Sequence, residues 1–208
     1  MTIALIILIW VLNIGISIWN AYAVGHAWVE TKHHGGWPRF MAWMGAIMSA
    51  SGFSWCYLIL MAFVADGVGW FSEDDLVLAL NIGYVVLIPG IILSGLMITL
   101  DSWARAYRNR TVGTIGIAAW NTYAQIHNTY NAINTFGKAF GSVVETMSEG
   151  RSGKDSKGAG LILVIVLVVI ALLAGVITTA LIISRVAGNY ELPQRRPEEE
   201  KEKELAQR

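Results

Sequence analysis

The distribution of charge is the feature that most constrains how this chain folds. Residues 1–29, 40–65, 76–100 and 158–184 contain no Asp, Glu, Lys or Arg. A helix needs roughly 20 apolar residues to cross a hydrocarbon core about 30 Å thick, and each run is long enough. Because 55% of the residues are hydrophobic and only 14% are charged, the sequence predicts an integral membrane protein.

Turn and cap signals divide these runs into helices. Gly35-Gly36 followed by Trp37-Pro38 separates the first two spans, and Ser72 with Asp75 forms a capping-box-like start for the third. We therefore predict an all-α, polytopic membrane protein with about four transmembrane helices and a long amphipathic helix between spans three and four. The predicted units are a three-span region at 1–100 with an extended first helix, a basic exit and heptad-patterned helix at 101–147, a flexible linker at 148–160, the fourth transmembrane helix at 161–186 and a charged, solvated tail at 187–208.

The basic residues predict the orientation, since loops rich in Lys and Arg stay in the cytoplasm. The first loop carries Lys32 and Arg39, the second carries only acids, and the third carries seven basic residues. Loops one and three, including the amphipathic helix, are thus expected in the cytoplasm. Four spans would put the tail outside, against the preference of its arginines. A fifth crossing at 112–136 would bring the tail inside, but that stretch holds too many Asn, Gln and His side chains for an ordinary span.

The segment from Val112 to Met147 has an apolar repeat of seven residues, which is typical of a helix with one continuous seam. We expect this seam to be buried against protein. Two alternatives remain open: a self-associating helix, or a helix packed on its own spans or on the bilayer surface. The residues predicted to form an assembly seam are Tyr123, Ile126, Tyr130, Ile133 and Phe140.

Small and polar side chains recur at helical spacing inside the spans. Such residues let membrane helices approach closely and form hydrogen bonds between them. Packing within the chain is the favoured interpretation, and a polar pore lining in an oligomer is the alternative. The predicted helix-packing residues are Asn13, Ser17, Asn20, Ala46, Ala50, Ser54, Asn81 and Gly90.

The one candidate metal site is a polar cluster that follows the first span. His26, Glu30, His33 and His34 have helical spacing, and imidazole with carboxylate can bind zinc or iron. Three ligands on one face are too few for a structural zinc site, so we favour an interfacial polar cluster. No cofactor is predicted, and no nucleophile–base pair, phosphate loop or dinucleotide fingerprint is recognisable.

Four stretches carry a family resemblance: NAYAVGHAWVE, GGWPRFMAW, GAIMSASGFSWCYL and AWNTYAQIHNTYNAI. They resemble membrane proteins encoded by tailed bacteriophages and related mobile elements. The resemblance implies a bacterial membrane, here the inner (cytoplasmic) membrane, and it assigns no functional residues.

The predicted function is that of a non-enzymatic membrane protein that self-associates or docks a membrane protein partner, altering a bacterial host envelope. An oligomeric channel or pore is the first alternative, and a metal or haem redox protein is the second. The expected partners are the lipid bilayer and a further copy or membrane protein. A formal net charge of zero gives no basic field for nucleic acid.

Overall fold

The described residues fold into five α-helices. The computed structural model describes residues 3–32, 35–150 and 155–189. The helices are α1 (Ile3–Glu30), α2 (Trp37–Gly67), α3 (Glu73–Asn109), α4 (Val112–Gly150) and α5 (Asp155–Asn189). Four of them, all but α4, are long and apolar enough to cross a membrane. The chain is therefore an all-α membrane protein with a long amphipathic helix between the third and fourth apolar helices.

Local sequence explains the helix ends. Ser72 caps α3 by accepting a hydrogen bond from the Asp75 amide, while the Asp75 carboxylate accepts one from the Ser72 amide. This reciprocal pair confirms the predicted capping box. Gly36, with a φ of 78°, precedes α2, and the chain conformation there favours glycine because it lies in the left-handed region. Arg110 also has a positive φ, of 40°, at the turn between α3 and α4.

Helix α4 runs back along α3 in the antiparallel direction. Near one end, the Trp103 indole donates to the Thr122 hydroxyl at 2.8 Å. Near the other, the Asn81 amide donates to the Ser142 hydroxyl at 3.3 Å. The contacts therefore cover residues 81–103 of α3, which include most of its uncharged run. Any bilayer crossed by α3 would therefore also contain α4, at the same depth. This position differs from the prediction, which placed the amphipathic helix in a cytoplasmic loop.

The course of α5 fixes which helix ends lie together. Gly160 at its start lies against the Asp75 side chain, and Val186 near its end lies against Gly25. One end of the bundle therefore holds the α1–α2 loop, the α3–α4 turn and the end of α5, and we call it the basic end. Its basic residues are Lys32, Arg39, Arg105, Arg108, Arg110 and Arg185. The other end holds the α2–α3 loop, with Asp66, Glu73, Asp74 and Asp75, and we call it the acidic end.

The apolar core lies toward the acidic end, among α2, α3 and α5. Leu58, Phe71, Ile82 and Val164 are buried there, and Val143 brings α4 into the same cluster. Burying such a side chain stabilises a fold by about 1.5–3 kcal/mol in water. Within a bilayer, close packing replaces that driving force, because lipid tails are as apolar as leucine.

Two of the predicted segment boundaries differ from the structure. Helix α4 continues to Gly150 and α5 begins at Asp155, so helix occupies most of the predicted linker at 148–160. Only 151–154 within that range lie outside the described residues. In the predicted tail at 187–208, residues 187–189 belong to α5 and the remainder lies outside the described residues.

Candidate functional site

The face of α4 that packs on α3 consists of small and amide-bearing residues. Ala118, Ala132 and Ala139 are buried there, and Gln125 lies between them at the same seven-residue spacing. The Gln125 amide donates to the Ile92 carbonyl oxygen at 3.1 Å. The seven-residue repeat is therefore real, but the seam that packs within the chain lies one position before the predicted one.

The predicted seam points away from the rest of the chain. Ile126, Tyr130 and Ile133 are 64%, 67% and 74% exposed, and Tyr123 and Phe140 are exposed as well. Helix α4 therefore does pack on the chain's own spans, but through a different face from the predicted seam. The reason is steric. Alanine and threonine on the packed face allow α4 to approach α3 closely, whereas isoleucine and tyrosine would hold the two helices apart. The five seam residues form what we call the outer apolar face.

Beside the outer apolar face, α4 carries a row of exposed polar side chains. We call His127, Asn131, Asn134 and Lys138 the outer polar row; all four are exposed. The His127 ring and the Asn131 amide are 3.0 Å apart, within hydrogen-bond distance. The Tyr84 hydroxyl donates to the Asn131 carbonyl oxygen at 3.3 Å, which places this row at the depth of the α3 span.

The histidine cluster is only partly described. His26 packs edge-on against the Tyr22 ring, with centroids 4.6 Å apart, and lies near Glu30 in sequence on α1. His33 and His34 lie outside the described residues. Among the described residues, no three His, Cys, Asp or Glu side chains are grouped as metal ligands. The structure thus brings no metal site together from the half of this cluster that it describes.

Several predicted helix-packing residues lie at contacts between helices. The Ser49 hydroxyl donates to the Ser17 carbonyl oxygen at 2.9 Å, joining α2 to α1. The Ser54 hydroxyl donates to the Leu172 carbonyl oxygen at 3.3 Å, joining α2 to α5. Three of the remaining predicted residues also lie at helix contacts: Asn81 contacts Ser142, Gly90 faces α2, and the Ala50 carbonyl oxygen contacts Gly175. The other three are partly buried: Asn13, Asn20 and Ala46.

Gly175 is a point of close approach between α2 and α5. A methyl group on its Cα would lie 2.5 Å from the Ser54 amide nitrogen and 2.7 Å from the Ala50 carbonyl oxygen. Both atoms belong to the α2 backbone, so neither can move away by a rotamer change. The two helices therefore pack backbone against backbone here.

Sequence reasoning missed a buried carboxylate at the basic end. Asp101 is only 4% exposed. It accepts a hydrogen bond from the Trp37 indole at 2.8 Å and one from the Arg105 Nε at 2.6 Å. The available signal was that Asp101 is the first charge after the third span, with Arg105 four residues later. This group ties the start of α2 to the end of α3.

Replacing Asp101 with alanine should destabilise the protein. Asp101→Ala leaves the Trp37 indole and Arg105 without their acceptor, and hydrogen bonds to charged groups are worth about 1.5–3 kcal/mol each. We expect a lower melting temperature in detergent, measured by circular dichroism. Glu145→Ala, which removes an exposed carboxylate from α4, serves as the control and should change little. Equal melting of the two variants would mean that the Asp101 contacts contribute nothing.

Comparison of the chain with protein-family models, with curated proteins and with solved structures found no match.

Proposed function

We propose that this chain is a non-enzymatic integral membrane protein that assembles with further copies of itself through the outer surface of α4. The observation that carries the proposal is the position of α4. It lies beside α3 over the length of the α3 span, yet both its outer apolar face and its outer polar row point away from the chain.

The depth of the outer polar row makes a lipid-facing position unfavourable. An amide moved from water into an apolar medium without a hydrogen-bond partner costs roughly 2–7 kcal/mol. Lys138 lies nearer the acidic end, one turn before Ser142, which contacts Asn81, so its cost is below the roughly 2.5–3.5 kcal/mol of a lysine at the centre of a membrane helix. His127 and Asn131 partly satisfy each other, 3.0 Å apart, so the cost falls on Asn134 and on the remaining donors and acceptors of that pair. A protein partner removes this cost by supplying donors and acceptors.

A second copy of the chain fits this requirement best. Asparagine carries both a donor and an acceptor, so the row is complementary to itself across a twofold axis. The neighbouring outer apolar face provides side chains at steps of three and four residues, as at Tyr123, Ile126 and Tyr130. That spacing suits knobs-into-holes packing between helices.

A channel is the second candidate, and the continuity of the outer polar row favours it. In a ring of copies with the row turned inward, His127, Asn131, Asn134 and Lys138 would line a polar path parallel to the helix axes. Conductance measured in planar bilayers separates this function from assembly without a pore. The bacterial inner membrane and an effect on the host envelope are proposed from the resemblance to phage-encoded membrane proteins.

Cysteine cross-linking tests the assembly. In a Cys56→Ala background, Ile133→Cys should give disulfide-linked dimers on oxidation in native membranes, because Ile133 lies on the proposed contact surface. In mild detergent, the same protein before oxidation should elute as a particle larger than one chain.

Leu173→Cys provides the matched control. Leu173 is an exposed apolar residue on α5, where lipid contact is expected, so its cysteine should remain uncross-linked. A monomeric particle, or equal cross-linking at the two positions, would contradict the proposed interface.

A further inference from the structure

A cleft of about 890 Å³ opens between α1 and α4 at the basic end. It exists because α1 and α4 make no contact with each other in the described part of the chain, although α1 packs on α2 and α4 packs on α3. Helices α2 and α3 form the floor. The walls are mostly apolar and include Val24, Ala27, Met41, Ile98 and Ile117.

On α1 the cleft is as long as one leaflet of a bilayer is thick, whereas on α3 its lining, from Ile98 to Asn109, begins where the uncharged run at 76–100 ends. Its lining on α1 extends from Asn20 to Glu30, and ten residues of helix rise about 15 Å. Half of a hydrocarbon core is also about 15 Å thick. The cleft runs parallel to the helices, so a lipid chain within it would keep the orientation that it has in the bilayer.

The polar end of the cleft carries two guanidinium groups. Arg105 and Arg108 both line it, together with Asn109, Thr114 and the carboxylate of Glu30 on the facing helix. Arg105 is paired with Asp101. Arg108 is exposed, donates only to the Ala104 carbonyl oxygen on its own helix, and has no acidic partner among the described residues. A free guanidinium beside polar donors is suited to a phosphate group.

We propose that this cleft binds one phospholipid from the leaflet at the basic end. The phosphate contacts Arg108, with Arg105 beside it, and one acyl chain lies along Val24, Met41 and Ile98. Basic pockets between transmembrane helices on the cytoplasmic side are known to take anionic headgroups. The apolar walls favour a lipid over a free anion, because a soluble phosphate would leave them uncovered. This site is independent of the proposed assembly surface, which lies on another face of α4.

Native mass spectrometry of the full chain in detergent tests the site, with dioleoyl phosphatidylglycerol as the probe. One lipid per chain should remain bound. Arg108→Gln should weaken retention about tenfold, the effect of losing one charge-assisted hydrogen bond. Ala23→Phe, which fills the cleft from the exposed α1 side, should abolish it. Circular dichroism checks folding; if Ala23→Phe misfolds, the arginine variants decide alone.

Two controls separate this site from general lipid contact. Arg185→Gln removes an exposed arginine at the same end, outside the cleft, and should leave retention unchanged. Dioleoylglycerol, which lacks the phosphate, should not be retained. Equal losses in Arg108→Gln and Arg185→Gln would overturn the proposal, as would equal retention of dioleoylglycerol. Displacement of the lipid by millimolar inorganic phosphate would show a free-anion site instead.

Discussion

A cysteine at the end of α4 should react with a membrane-impermeant maleimide in intact cells. In a Cys56→Ala background, we expect Ser148→Cys and Ser72→Cys to label from outside, and Asn189→Cys to label only after permeabilisation. The reason is geometric: α5 starts beside Asp75 and ends beside Gly25, so the end of α4 lies with the acidic loop. The basic end is expected in the cytoplasm. In intact cells, Ser148→Cys and Ser72→Cys should therefore label fully and Asn189→Cys not at all.

The outcome distinguishes two topologies. Labelling of Ser148→Cys from outside means that α4 crosses the bilayer with α3 and that α5 ends in the cytoplasm. That end of α5 agrees with the cytoplasmic preference of Arg185, but Lys157 in the first turn of α5 then lies on the outer side, against the preference of basic residues. Protection of Ser148→Cys, with Ser72→Cys still labelled, would contradict the antiparallel pairing of α3 and α4 in the membrane.

Adding a methyl group at Gly175 should destabilise the bundle strongly. Overpacking typically costs about 1–3 kcal/mol, and we expect Gly175→Ala to reach or exceed the upper value. The clash is with the backbone of α2 at Ser54 and Ala50, so relief requires the separation of two helices. Unfolding in mixed micelles, followed by circular dichroism, measures the loss.

The matched control is a glycine-to-alanine substitution at a position where the added methyl group has space. A methyl group on Gly15 meets nothing within 4 Å, and replacing glycine by alanine inside a helix gains about 0.5–1 kcal/mol. Gly15→Ala should therefore be neutral or stabilising. If both variants unfolded at the same detergent fraction, the close contact between α2 and α5 would not contribute to stability.

The helices could be predicted from the sequence because their signals are local. Long uncharged runs mark the four apolar helices, and the Ser72–Asp75 pair marks the start of α3. Pro38 lies in the first turn of α2 as expected. These features depend on neighbouring residues along one helix, so no knowledge of the packing is required.

The packed face of α4 could not be predicted with the rule used for soluble coiled coils. That rule places the largest apolar residues, such as Ile126 and Ile133, against protein. In the structure Ala118, Ala132 and Ala139 pack on α3 instead. The seven-residue period was predicted correctly, but two sets of positions, offset by one residue, both follow it. Burial of large side chains does not favour one set over the other where the surroundings are lipid.

The buried carboxylate and the cleft depend on contacts between distant segments. Asp101 is positioned by Trp37, which lies 64 residues away along the chain. The cleft exists because α1 and α4 stay apart. The spacing of Asp101 and Arg105 indicates an ion pair, but neither the burial of Asp101 nor the cleft leaves a pattern in the sequence, since each depends on where the helices pack.

The composition of α4 has a consequence for how the protein is made. Among the described helices, α4 alone falls short of the apolarity expected for a membrane span, and only Arg110 and Thr111 separate it from α3. A translocon that selects segments by hydrophobicity would not release such a helix into lipid by itself. If α4 lies in the bilayer beside α3, it would enter together with α3 as a hairpin, after α3 has emerged from the ribosome. In the proposed assembly, a newly inserted subunit would expose its outer polar row until another subunit covers it, so an unassembled chain would be a substrate for membrane quality control.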